Sequence, residues 1–249
     1  MKFFQWIRRL LKSNKGLNLN QGSLKELEKK CNYRFKDLKW LQLALVHRSY
    51  LNISGGKHYD TFERLEFLGD AILGLLVTEY LFHNYPLKSE GTLTRYKSVI
   101  VSRKMLANFA REIDLGKYLY LGQGEELSGG RRRESILADA FEALLGAIYI
   151  DGKQKGVNSI LNKLLFHNME KILKDELHKN YKSQLLEYSQ GHGLGLPRYE
   201  IKVETGPEHN KSFEVGVRIN GELLGIGFGK SKKKAEQKAA KIAIEKLIS

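Results

Sequence analysis

Residues 63–73 read ERLEFLGDAIL, and the spacing of their acids decides how the chain is built. Glu63, Glu66 and Asp70 stand three and four residues apart, which on an α-helix stacks them along one stripe over two turns, about 10 Å. Leu65, Phe67, Leu68, Ala71 and Ile72 take most of the remaining circumference. The spacing therefore predicts a largely buried helix over 62–82 from which three carboxylates emerge together. Such a pattern alone is either a solvated acidic face or part of a charged site. Its apolar setting weighs towards the site, because carboxylates clustered away from water must protonate or gain cationic partners.

A second helix, over 135–150, supplies further acids. Residues 136–149 read ILADAFEALLGAIY, placing Asp139 and Glu142 one turn apart in an otherwise apolar run. Two such helices crossing side by side would gather Glu66, Asp70, Asp139 and Glu142 into one oxygen cage. Oxygen ligands with no His or Cys cluster favour Mg2+ over zinc. A carboxylate-held metal suits phosphodiester hydrolysis, since it activates water, and a second ion about 3.5–4 Å away steadies the leaving oxygen. Gly69 and Gly146 either permit the close helix approach or are ordinary packing glycines.

Around these two helices the apolar period stays helical. Leu24, Leu27 and Cys31 open it; Trp40, Leu41, Ala44 and Leu45 continue it; a helix over 92–113 carries Val99, Met105, Leu106 and Phe109. No strand pattern interrupts this part, so the first domain reads as all-α. The charged stretch 168–180 (NMEKILKDELHKN) reads as a terminal helix running into a linker. Beyond it the period changes to two. Segments 199–204, 212–219 and 222–228 alternate like strands, and Asn220-Gly221 between the last two is a hairpin signal. A helix over 181–190 precedes them and an amphipathic one over 232–248 follows, giving α-β-β-β-α.

Composition narrows the partners. The 249 residues carry 42 Lys+Arg against 28 Asp+Glu, formally +14, which favours an anionic partner such as nucleic acid. Cys31 is the only cysteine, which rules out an intrachain disulfide and a thiolate zinc site and fits a reducing, cytoplasmic setting. No apolar run approaches a membrane span of about 20 residues, so stable membrane insertion is not expected. The N-terminal MKFFQWIRRLL has an apolar helical face rimmed by Lys2, Arg8, Arg9 and Lys12. It reads as a basic tail or a weak interfacial segment, and Arg8-Arg9 break the apolar run that a secretory signal needs.

At this point the residues resemble a known family. ERLEFLGDAIL looks like the diagnostic segment of ribonuclease III through its full length. ALVHRSY (44–50) and GGRRRESILADAFEALLGAIYID (129–151) are similar to the blocks that flank it. YKSQLLEY (181–188), GPEH (206–209) and KSKKKAEQKAA (230–240) resemble a double-stranded-RNA-binding domain. The resemblance implies a basic N-terminal extension over 1–22, a catalytic domain over 23–170, a linker over 171–180 and the RNA-binding domain over 181–249.

It further implies that Glu66, Asp70, Asp139 and Glu142 hold Mg2+, with Mn2+ as a substitute, and that Asp70 and Glu142 are catalytic. Glu63 and Glu90 match acidic positions near the cleft, in supporting roles. The family works as a homodimer, and Phe67 matches an aromatic that enters the partner subunit; core packing within one chain is the alternative. The implied reaction is hydrolysis of double-stranded RNA to 5′-phosphate and 3′-hydroxyl ends with two-nucleotide 3′ overhangs. Its implied work is the processing of ribosomal RNA precursors and other structured transcripts.

Several basic and polar residues have roles that fit a duplex. Gln184 and His209 would meet minor grooves, and Lys232, Lys233 and Lys234, opening the last helix, would sit over phosphates. Arg131, Arg132 and Arg133 either contact phosphates or form a solvated basic loop. His47 reads as a structural hydrogen-bonding residue, since no nucleophile accompanies it.

Overall fold

The computed structural model describes residues 21–54, 60–177, 181–207 and 211–248, which fall into two units that part between Ile172 and Leu173. The first is helical: α1 (Gln21–Cys31), α2 (Leu38–Ala44), the short α3 (Leu51–Ser54), α4 (Glu63–Asn84), α5 (Glu90–Ile100), α6 (Arg103–Glu112), the short α7 (Gln123–Leu127), α8 (Glu134–Leu164) and the start of α9 (Met169–Leu177), within which the boundary falls. The second contains α10 (Tyr181–Gly191), β1 (Arg198–Thr205), β2 (Ser212–Ile219), β3 (Glu222–Gly229) and α11 (Lys232–Ile248). This is the α-β-β-β-α order that the change of period predicts.

The first unit is organised around α8, which packs on α2, α4 and α6. Its residues Ile136, Leu137, Ala140, Phe141, Leu144 and Leu145 are buried, and removing a side chain such as Phe141 would cost about 3–5 kcal/mol. Asp139 and Glu142 are the polar interruptions in that run, half-buried where their neighbours are sealed. The helix breaks at Lys153 (φ 55°, ψ −161°). Just before the break, Asp151 accepts hydrogen bonds from the Tyr33 hydroxyl (2.6 Å) and the Lys36 and Asp37 amides, tying the α1–α2 connection to α8.

Helices α4 and α8 cross at glycine. A Cβ placed on Gly69 would overlap the Glu142 carbonyl, and one placed on Gly146 would overlap the carbonyl of Leu65. Both glycines therefore permit backbone-to-backbone contact; neither merely fills space. The crossing sets the acids of one helix against those of the other.

Two expectations need correction. The helix expected over 92–113 is two helices, because Ser102 interrupts it: its hydroxyl accepts from the Met105 amide (3.3 Å) and donates to the Val99 carbonyl (2.7 Å). A serine that satisfies the free donors at a helix start ends one helix and begins another, even where the apolar period runs through. The second correction concerns α4, which is not largely buried. Phe67 (82% exposed), Leu75 (62%) and Phe82 (66%) leave an apolar stripe open along it, so Phe67 does not pack in the core of its own chain.

In the second unit β1, β2 and β3 form an antiparallel sheet in that order. Asn220 (φ 49°) and Gly221 (φ 85°) are both left-handed, the geometry of the tight hairpin turn that joins β2 to β3. Gly225, Gly227 and Gly229 recur every second residue of β3, where a Cβ would overlap the backbone of α11 at Ala235 and Ala239. A sheet face bare of side chains thus seats a helix face of alanines, and Leu185, Val217 and Ile219 complete the core.

Candidate active site

The crossing of α4 and α8 opens into a cleft of about 620 Å3 lined by Glu63, Glu66 and Asp70 from one helix and Asp139 and Glu142 from the other. Carboxylate oxygens of Glu66, Asp139 and Glu142 lie within 4.8 Å of one another. Asp70 lines the same cleft but is exposed and stands outside that tight group. Burial pushes the Glu66 carboxyl up to about 7, with the charges of Asp139 and Glu63 adding to the effect. Burial likewise raises Glu142 to about 7, reinforced by Asp70 and Glu66, and raises Asp139.

Among the described residues none of these four acids makes an ion pair or a side-chain hydrogen bond. The charge that opposes their crowding comes from Arg103, in the first turn of α6, which acts on Glu66, Asp139 and Glu142 together, and from Arg48, which acts on Asp139. Two exposed guanidinium groups do not balance that much negative charge in a half-buried site. The oxygen donor set fits a hard divalent cation, with all four acids within reach of the cleft.

The remaining candidates divide. Glu63 lines the cleft and meets Arg48 at 3.9 Å and the Thr61 hydroxyl at 3.4 Å. Glu90, in the first turn of α5, accepts a hydrogen bond from Thr94 (2.8 Å) and is not among the lining residues. Arg131 is neither a phosphate ligand nor a solvated residue: it donates to the carbonyls of Gly116 (2.9 Å) and Leu119 (2.8 Å) and to Glu126 (2.6 Å). Arg133 pairs with Glu125 and reaches the Ser128 hydroxyl (2.9 Å) at the cleft wall. Arg132 stays exposed.

The lining includes polar residues that the sequence does not place there, His47, Arg48 and Glu125 among them. His47 does have the structural role read from the sequence, since its Nδ1 caps the turn Arg48–Tyr50 by accepting from the Ser49 amide (3.2 Å). The cleft position adds to that role. Proximity in sequence to Phe62 would not reveal it; the ring meets Phe62 through the fold, at 5.6 Å between centroids.

In the second unit Lys232, Lys233 and Lys234 are exposed at the start of α11, where Ser231 accepts from the Lys234 amide (3.3 Å). Exposed amides and ammonium groups at a helix start attract anions. Gln184 is half-buried on α10, and His209 lies outside the described residues, as does the basic N-terminal segment.

Comparison with known proteins accounts for both units. Residues 37–169 match the family described as ribonuclease-III-like, and residues 181–247 match the double-stranded RNA binding motif. The chain belongs to the ribonuclease III family. Ribonuclease 3 of Caldanaerobacter subterraneus is 46% identical over 89% of this chain and 96% of its own length. Ribonuclease 3 of Treponema denticola is 42% identical over 91% of this chain and 92% of its own.

Among solved structures, the nuclease domain of ribonuclease III from Campylobacter jejuni matches with a TM-score of 0.54 and 38% identity. It covers 59% of this chain and 99% of that domain. Its description reports structural flexibility in a region of that domain involved in dimer formation. The chain is accordingly a ribonuclease of this family, with a helical nuclease unit and a unit that binds double-stranded RNA. Among the described residues no helix is long and apolar enough to cross a membrane.

Proposed function

We propose that the protein is a Mg2+-dependent endonuclease that cuts double-stranded RNA, with Glu66, Asp70, Asp139 and Glu142 as the metal-holding acids. The observation that carries this reading is the group of half-buried carboxylates that, among the described residues, makes no ion pair of its own. Bound Mg2+ would supply an activated water and offset the repulsion between acids and phosphate, and Mn2+ would substitute for it. Asp70 and Glu142 act as the catalytic pair of this set. Glu63 orients Arg48 at the rim, and Glu90 has at most an indirect part.

The α4–α8 crossing keeps the carboxylates in register, so little reorganisation accompanies substrate arrival. Products carry 5′-phosphate and 3′-hydroxyl ends with two-nucleotide 3′ overhangs, and the substrates include ribosomal RNA precursors and other structured transcripts in the cytoplasm. Duplex is held through its shape by α10, the 206–209 loop and the lysines of α11. Gln184 and His209 meet minor grooves, while Lys232, Lys233 and Lys234 meet phosphates.

A homodimer completes the arrangement. On α4 the exposed Phe67, Ala71, Leu75 and Phe82 fall within roughly 80° of helix circumference, immediately beside the stripe of Glu63, Glu66 and Asp70. An open apolar stripe of this length marks an association surface. Burying it against a second copy, with Phe67 at the interface, brings two acid clefts to one duplex, each facing one strand. A Phe67→Arg variant that still sediments as a dimer would remove this part of the reading.

The direct test incubates long duplex RNA with the protein in Mg2+ and in chelator, beside Glu142→Gln. The variant should bind duplex normally while its cleavage falls by orders of magnitude. Undiminished cutting would overturn the assignment of the acids. Binding without cutting by the parent protein in Mg2+ would instead point to a non-catalytic RNA-binding protein.

A further inference from the structure

His47 lines the acid cleft, although it is not one of its acids, and its ring is held in one protonation form by its neighbours. Its Nδ1 accepts the Ser49 amide hydrogen at 3.2 Å and lies 2.8 Å from the Ser49 hydroxyl. That hydroxyl in turn accepts from the Gly122 amide at 2.8 Å, which turns its own hydrogen towards the ring. With its lone pair engaged in this way, Nδ1 carries no proton, so the hydrogen of the neutral ring sits on Nε2. Nε2 has no hydrogen-bond partner among the described residues. The packed Phe62 ring and the 9% exposure of His47 hold the imidazole in place.

A phosphate entering this cleft meets carboxylates from both helices, with Arg48, loosely held by Glu63 at 3.9 Å, as an exposed donor at the rim. Arg133 is engaged with Glu125 and Ser128, and Arg131 with backbone carbonyls. An imidazole fixed as an Nε2–H donor suits an anion, and it has no lone pair free to act as a base. We propose that His47 is a further catalytic residue: its Nε2–H donates to a non-bridging oxygen of the RNA backbone phosphate received between Glu66, Asp139 and Glu142. This inference rests on those acids forming the cleavage site.

The two ring nitrogens make the two roles of His47 separable. Asparagine is a good capping residue whose side-chain oxygen can stand in for Nδ1, but it has nothing that reaches the Nε2 position. Glutamine places an amide donor near the Nε2 position and loses the cap. Cleavage of duplex RNA in Mg2+, duplex affinity in chelator and melting temperature are measured for His47→Asn, His47→Gln and Glu142→Gln.

His47→Asn should melt and bind like the parent while kcat falls by on the order of 100-fold, the lower end of the range for losing one donor to a developing anion. His47→Gln should melt lower yet cut faster than His47→Asn. Cutting by His47→Asn at the parent rate overturns the proposal, as does a loss of cutting that simply follows melting temperature across both variants. If Glu142→Gln also cuts like the parent, the cleft assignment itself has failed; if only His47→Asn does, the failure is confined to His47.

Discussion

Both units press a helix backbone directly against another element through glycine, but the contact has different consequences. At Gly69 and Gly146 the closeness of α4 and α8 places half-buried acids from two helices within one ion's reach. At Gly225, Gly227 and Gly229 the closeness of β3 and α11 seats a helix whose first lysines, Lys232, Lys233 and Lys234, are exposed to solvent. The nuclease unit concentrates charge where water is scarce, and each member of the cluster alters its neighbours. The RNA-binding unit spreads charge where water screens it, and its members act nearly independently. Single substitutions should therefore be severe in one unit and mild in the other, unless they strike the glycine contacts themselves.

The largest effect is expected at the α4–α8 crossing. Gly69→Val or Gly146→Val places side-chain carbon where a backbone carbonyl lies, and no rotamer change relieves it. The helices must part, at a cost of about 3 kcal/mol or more, and the acids move with them. Thermal unfolding and cleavage assays should show lower melting temperature and abolished cutting together. Retention of both would mean that the glycine contact does not set the site. The matching change in the other unit, Gly227→Val, should lower duplex affinity sharply by displacing α11, whereas the acid cleft keeps its geometry.

What the sequence reveals of this comparison follows from which interactions are local. The acids of α4 and of α8 are legible as a stripe on each helix from helical spacing alone, whereas the part of Gly69 and Gly146 is decided only by the crossing itself. The three strands and the Asn220-Gly221 turn are legible for the same reason, at a period of two. The division at Ser102 is hidden because Val99, Met105, Leu106 and Phe109 keep an apolar period on either side of it, and the capping serine is the one available signal. The exposure of Phe67 is not legible in the periodicity, which cannot distinguish the core of one chain from a surface open to a partner; only the family resemblance points to it. Arg131 and Arg133 depend on carbonyls and a carboxylate brought in by the fold, so their run of like charge misleads.

A milder effect should follow from pH, in the nuclease unit only. Glu66 and Glu142 are held at about 7, above their ordinary value of 4.5, so between those values the folded protein binds more protons than the unfolded chain. The cost of burying these charges, with the repulsion among them, is fully present above pH 7 and is relieved as the pH falls towards 4.5. In chelator, the melting temperature contributed by this site should rise from pH 8 to pH 5.5. Glu142→Gln should raise the pH 8 value and flatten the difference. Partial exposure of both groups screens the effect, and because they interact they titrate as a pair. Added Mg2+ should stabilise more at pH 8 than at pH 5.5, since it competes with protons for the same oxygens. A variant whose pH profile matches the parent's would show that the cluster is not the source.

The smallest single effects belong to the lysines of α11. Lys232, Lys233 and Lys234 are exposed, and among the described residues none is tied into an ion pair, so removing one changes little in the folded chain. Each alanine substitution should leave the melting temperature where it was and weaken duplex binding only modestly. The triple variant should reduce the slope of log affinity against log salt by about two to three, because every phosphate left without its ammonium keeps roughly one condensed counterion on the duplex. Its cleavage rate at saturating RNA should stay near the parent's, if the lysines serve only to hold the duplex as proposed. A triple variant with an unchanged salt slope would show that the duplex is held elsewhere, and one with a lower saturating rate would show that grip and cutting are not separate after all.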